Sequence, residues 1–298
     1  MRYALLVLAV LLLAGSVYEL RQDGFVVMVD ESYIAQMVGA SHLGFASPDG
    51  LRVSGDRIYL ADEGGSAISV WSLQGGTVER LADASAGIMS PEDLVVDHAG
   101  AIFFTDDDAG GLWKIDAAGV VRRIAGKEQG IGSTEGLALA PDGTLVVGDA
   151  THSRIVRVTP DGDLQELPLP AGEIVKPESM AFDREGNLYI ADDEANIVYL
   201  YDTHGKLRRI LTQRDGMQAP ESLCFADGRL WITDDRAGKL YAYTPDEGLR
   251  TIALFANSLK NIQGVWVTPS GEIYLTVQMD IKRKQGCVIR LVPRSGAR

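Results

Sequence analysis

Pro177-Glu-Ser-Met-Ala-Phe-Asp-Arg-Glu-Gly-Asn-Leu-Tyr-Ile-Ala-Asp192 carries the reading that decides the fold. Glu178 to Asp183 is a short alternating run. Asp183-Arg-Glu-Gly186 has the composition of a tight turn, and Asn187 to Asp192 is a second run rich in strand formers. Downstream, Ala195 to Asp202 gives a third run, Thr203-His-Gly-Lys206 a further turn, and Leu207 to Leu211 a fourth run. In the first run Glu178, Met180 and Phe182 fall on one face, with Ser179 and Ala181 on the other. Large side chains of one such sheet can then interdigitate with small ones of the next.

This unit recurs along the chain. Glu92, Glu135, Glu178 and Glu221 are spaced by 43 residues; Asp49 lies 43 before Glu92, and Gln263 lies 42 after Glu221. Turn residues recur at matching offsets, as in Pro141-Asp-Gly143, Asp227-Gly228 and Pro269-Ser-Gly271. Six copies predict an all-β, six-bladed β-propeller with four antiparallel strands per blade. The ends predict how it closes. Leu81, Ile124, Leu167, Ile210 and Ile252 each end a fourth strand 11 residues before the next acidic position. Val38 stands 11 before Asp49, so Tyr33-Ile-Ala-Gln-Met-Val38 is also a fourth strand, with no blade preceding it. Cys287 to Val292 matches a third strand, after which the chain stops. The strand at 33–38 is therefore expected to complete the last blade and remove its open edge. Residues 25–29, Phe-Val-Val-Met-Val, are a candidate extension of that seam, though the repeat does not place them.

Composition bounds the partners. Lys and Arg number 28 against 41 Asp and Glu, a net charge of −13, which argues against nucleic acid or an anionic membrane surface and favours cations. Arg2, the apolar stretch Ala4 to Ala14 and the small residues Ala14-Gly15-Ser16 read as an export signal at 1–16. The expectation is a periplasmic or secreted protein with one domain over 17–298, or one anchored by residues 4–14. That apolar stretch is short for a membrane span, and no other segment is apolar enough. A protein partner stays open. Cys224 and Cys287 are too few for a disulfide framework and read as small buried hydrophobes.

Two acidic series converge on one face of the disc, because the first strand starts and the second ends on the same side. Asp62, Asp106, Asp149, Asp192 and Asp234 close second strands, with Val277 breaking the series. An Asp in that place accepts hydrogen bonds from nearby backbone N–H groups. The other series, Asp49, Glu92, Glu135, Glu178, Glu221 and Gln263, borders the central channel. At a spacing of about 8 Å and an effective dielectric of about 20, each adjacent charged pair costs about 2 kcal/mol. A bound cation, protonation or splaying into solvent would relieve this. Hard cations such as Ca²⁺ take oxygen ligands of this kind. Two readings stay open: a site for a metal or cationic ligand, and a solvated or hydrogen-bonded structural rim. His98 and His204 fall on turns of the opposite face. His152 lies on the acidic side, and His42 precedes the first blade near the mouth. No nucleophilic triad, zinc pattern or phosphate loop appears.

Residues 177–192 and Thr134 to Leu145 resemble the senescence-marker-protein/gluconolactonase superfamily, and are similar to NHL repeats and strictosidine-synthase-like propellers. The resemblance covers about residues 33–292. It implies a divalent metal, often Ca²⁺, held at the channel mouth by Asp49, Glu92, Glu135, Glu178, Glu221 and Gln263. The metal would polarise a lactone or ester carbonyl, with a carboxylate such as Glu135 or Glu178 activating water. The substrate would be a small molecule or a cation at the acidic face. The family mixes Asn with its acids, whereas this rim has four Glu, one Asp and one Gln. The Pro-Glu-Ser form leans to the strictosidine-synthase-like branch, where a rim Glu handles a cationic amine without metal. The regular NHL-like spacing leans to a propeller that only binds a ligand or protein.

Overall fold

The computed structural model of the chain describes residues 18–19, 26–40, 43–75, 78–159, 162–255, 259, 261–280 and 285–294. The export segment at 1–16 and His42 lie outside the described residues. Blade four follows the sequence closely: Pro177–Phe182, Leu188–Asp192, Ile197–Tyr201 and Leu207–Leu211 pair antiparallel in that order. Its first turn is closed by Asp183, whose Oδ1 accepts from Glu185 N (3.0 Å) and Asn187 N (2.8 Å). Gly186 supplies the left-handed backbone there, at φ +89°.

Equivalent sheets run through residues 48–82, 91–125, 134–166, 220–255 and 262–293. The first strands of neighbouring blades touch in cyclic order, and Ile262–Val267 meets Pro48–Ser54, so the disc is a closed six-bladed propeller. The core lies between blades, not within them. Leu223 and Phe225 share a cluster with Ala181 of the preceding blade, and Met180 and Phe182 share one with Ala138. This is the large-on-small packing expected from the alternation. Cys224 and Cys287 are buried free thiols of one apolar cluster, and burial pushes them up to about 11 and about 12.

Tyr33–Ala40 closes the ring, antiparallel to Gln285–Pro293, with Met37 opposite Ile289 and Ile34 opposite Val292. Two blades carry a fifth strand. Tyr18–Glu19 flanks Tyr33–Ala40 in blade six, and Val26–Met28 pairs with Gly248–Phe255 in blade five. Val26–Met28 therefore extends the neighbour of the closing blade and not the closing seam itself, because its partner is the outer strand of blade five. Met37 is 1% exposed within the sixth-blade core. Met37→Ala is expected to cost about 2–5 kcal/mol in urea unfolding, the range for a core Met emptied to a cavity. Among the described residues no helix is long and apolar enough to cross a membrane.

Candidate functional site

The acidic positions are set by a bulge. In every blade the pairing of first and second strands shifts register at one place. The shifts fall between Pro48 and Leu51, Pro91 and Leu94, Thr134 and Leu137, Pro177 and Ser179, Pro220 and Leu223, and Ile262 and Val265. Asp49, Glu92, Glu135, Glu178, Glu221 and Gln263 each sit inside that shift, where a bulge re-aims a side chain away from strict alternation. Neighbouring strands crowd there. A Cβ on Gly136 would stand 2.8 Å from the carbonyl oxygen of Glu178, and one on Gly50 would stand 2.5 Å from that of Glu92. Threonines of the preceding blade fix some of these carbonyls: Thr105 Oγ1 donates to Glu135 O (2.5 Å), Thr233 Oγ1 to Gln263 O (2.6 Å), and Thr276 Oγ1 to Asp49 O.

The strand-ending aspartates are structural clamps. Asp62, Asp106, Asp149, Asp192 and Asp234 are all fully buried. Asp106 accepts from Met89 N, Ser90 N and Ala109 N; Asp192 from Val175 N, Lys176 N and Ala195 N; Asp234 from Gln218 N, Ala219 N and Ala237 N. The hydrogen-bonding role read from the sequence holds, with different partners. Most donors belong to the connection entering the first strand, 15 to 17 residues upstream. Each clamp thus holds the segment two or three residues before a rim carboxylate. Asp149 also takes Arg154 Nε (3.0 Å) and His152 Nδ1 (2.8 Å), which commits His152 to the same structural task.

The rim is relieved from within. Lys176 Nζ lies 2.8 Å from Glu178 Oε2 and 3.4 Å from Glu135 Oε1. Ser90 Oγ donates to Glu92 Oε1 at 3.2 Å. The Gln263 amide, oriented by its surroundings, donates to Glu221 Oε1 (2.7 Å) and Asp49 Oδ2 (3.3 Å) and accepts from Asn261 Nδ2 (3.3 Å). Further acids follow the clamps: Glu63, Asp107, Asp193 and Asp235, each one residue after a strand-ending Asp. Their charges reach the rim.

Burial first, then the neighbouring carboxylates, hold Asp49, Glu92, Glu178 and Glu221 well above the ordinary range. Glu135 is pushed up only to about 7: burial raises it, Lys176 pulls it back, and Asp107 and Asp193 raise it again. Burial alone would lower Lys176, but the charges of Glu178 and Glu135 hold its ammonium far above its usual value.

A cavity of about 520 Å³ is lined by the other ends of the first strands. Its lining comes from the far ends of the first strands, including Val96, Leu139, Phe182, Phe225 and Trp266, with His98 at its edge. Arg52, Asp97 and His98 join the apolar side chains there, whereas the clustered carboxylates lie at the bulges. His204 sits in its predicted turn, where Asp202 Oδ1 accepts from the His204 and Lys206 N–H groups.

Sequence reasoning found the whole rim and missed Lys176 and the acids of the outer layer. Two signals mark them. The outer acids always follow the clamp. The residues two before the rim position are Ser47, Ser90, Ser133, Lys176, Ala219 and Asn261, so one long cation breaks a series of small or neutral side chains.

The family described as the SMP-30/Gluconolactonase/LRE-like region matches residues 26–234. The chain belongs to the SMP-30/gluconolactonase/LRE-like family. Solved structures similar to this family member differ widely in what they are. A gluconolactonase from Xanthomonas campestris is 16% identical, with a TM-score of 0.73 over 93% of this chain and 97% of that one. Virginiamycin B lyase from Staphylococcus aureus is 15% identical, with a TM-score of 0.65 over 87% and 99%. A chain of a nidogen/laminin complex is 16% identical, with a TM-score of 0.64 over 80% and 96%. At such identities the likeness establishes the propeller alone. No curated protein matches the sequence.

The resemblance implied a divalent ion on the rim, and the arrangement of this family member does not fit one. Among the described residues no three His, Cys, Asp or Glu side chains converge as ligands. An ammonium already stands between the two carboxylates best placed to begin such a site.

Proposed function

We propose that this chain is a hydrolase of the lactone or ester type that works at the acidic mouth. The observation that carries the reading is Glu135: a buried carboxylate on a bulge, poised near neutrality, beside the ammonium of Lys176. A general base serves best when its pKa lies near the working pH. Family membership supports the same reaction class. The segment at 1–16 supports work outside the cytoplasm, in the periplasm or beyond it, by the 17–298 domain.

Glu135 in its ionised form takes a proton from water as the water oxygen bonds to the carbonyl carbon. Charge builds on the carbonyl oxygen. Lys176 has three N–H groups, and two carboxylate contacts leave one for that oxygen. The acyl C–O bond then breaks, and the proton held on Glu135 passes to the departing alkoxide oxygen. Ring opening of a lactone yields a hydroxy acid. Glu178 holds the ammonium in line. Asp49, Glu92, Glu221 and Gln263 offer a rim rich in acceptors, suited to a substrate bearing several hydroxyls. The test is turnover of a panel of polyhydroxylated lactones, simple lactones and aryl esters, followed by acid release. Turnover of at least one lactone is expected. A folded protein inert toward the whole panel, yet binding a cationic amine or a protein at this face, would contradict the proposal.

A further inference from the structure

The geometry points to Lys176 as the resident cation of this mouth: its ammonium occupies the place a divalent ion would take beside Glu135 and Glu178. Three observations carry this independently of the reaction. The first is contact. Nζ lies between Glu178 Oε2 (2.8 Å) and Glu135 Oε1 (3.4 Å), whose side chains are only 10% and 8% exposed. Two buried carboxylates on adjacent blades converge on one positive charge, as they would on a metal.

The second is placement. The Lys176 N–H donates to Asp192 Oδ1 at 3.1 Å, and the Val175 N–H to Asp192 Oδ2 at 2.7 Å. The backbone that projects this lysine is thus held by a fully buried clamp. In the other blades the equivalent position carries Ser47, Ser90, Ser133, Ala219 or Asn261, none of which supplies charge. The third is the supply of donors elsewhere on the rim. The remaining rim acids have neutral donors: Ser90 for Glu92, and the Gln263 amide for Glu221 and Asp49. A dication entering beside Glu135 and Glu178 would meet the ammonium at contact distance. At an effective dielectric of about 20 that repulsion amounts to several powers of ten in affinity.

The test is calorimetric titration of Ca²⁺ and of Mn²⁺ into chelator-treated wild type, Lys176→Ser and Lys176→Arg, with melting temperatures at millimolar ion. Wild type and Lys176→Arg are expected to bind neither ion and to show no shift. Lys176→Ser, which restores the residue of three other blades, is expected to bind at least about a hundredfold more tightly and to melt higher with ion present. Stoichiometric binding by wild type at micromolar ion would overturn the inference. So would a folded Lys176→Ser that gains no affinity. If Lys176→Ser does not fold, Lys176→Gln takes its place, and the wild-type titration still decides. Loss of lactone turnover elsewhere would leave these binding results standing.

Discussion

Glu135→Gln will lower kcat/KM for lactone hydrolysis by about 10²–10⁴-fold, the range for removing a positioned general base. The substitution keeps shape and removes only the proton acceptor, so the loss is expected in kcat with little change in KM. Its stability effect has the opposite sign. Glu135 ordinarily titrates near 4.5 and titrates here at about 7. The folded state therefore binds this proton more tightly than the unfolded chain. The associated stability is fully present below about 4.5 and is lost as pH rises through about 7. The amide carries no such loss, and the shift corresponds to about 3 kcal/mol as an upper bound, part of which the forfeited Lys176 contact cancels. Urea unfolding near pH 8 should therefore find Glu135→Gln as stable as wild type or more so. A variant that is both inactive and clearly destabilised there would point to a structural role for Glu135.

Lys176→Met is the second large effect. Removing one partner of a buried ion pair costs about 3–5 kcal/mol, and the 30% exposure of the Lys176 side chain discounts this to about 2–3 kcal/mol at pH 8. The penalty is tied to ionised partners. Lys176 lowers the pKa values of Glu135 and Glu178, so its contribution is greatest where both are charged and fades as pH falls and they take up protons. The stability gap between variant and wild type should widen as pH rises through about 7 and narrow toward pH 5. Lys176→Arg should close most of it. A gap of equal size across the range would assign Lys176 to packing of its aliphatic stem.

The propeller was legible because every blade must solve the same problem with local residues. Turns such as Asp183 to Gly186 need a side-chain acceptor and a left-handed glycine at fixed offsets, and those offsets repeat with the period. The closing strand was legible from the same arithmetic, because Tyr33–Ala40 obeys the spacing of a fourth strand. Val26–Met28 was not, since a fifth strand outside the repeat has no counterpart to align with.

At the site, periodicity located the rim and hid its chemistry. Comparing units draws attention to what they share, and Lys176 is where one unit departs from the others. The clamp aspartates show a related limit. Their role is local in kind, but donors such as Met89 N and Ser90 N for Asp106 belong to another connection, and only the fold brings them together. The bulge that aims each carboxylate is equally silent in sequence, because it arises from register between two strands.

The most direct test of the acidic mouth as a hydrolytic site is the pH profile of kcat/KM for wild type on a lactone it opens, from about pH 5 to about pH 9. One ionisation at Glu135, set by burial and by the charges of Lys176, Asp107 and Asp193, predicts a tenfold rise per pH unit that levels off above about 7. The residual rate of Glu135→Gln should lack that step. A wild-type profile flat across the range, or the same step surviving in Glu135→Gln, would contradict the account.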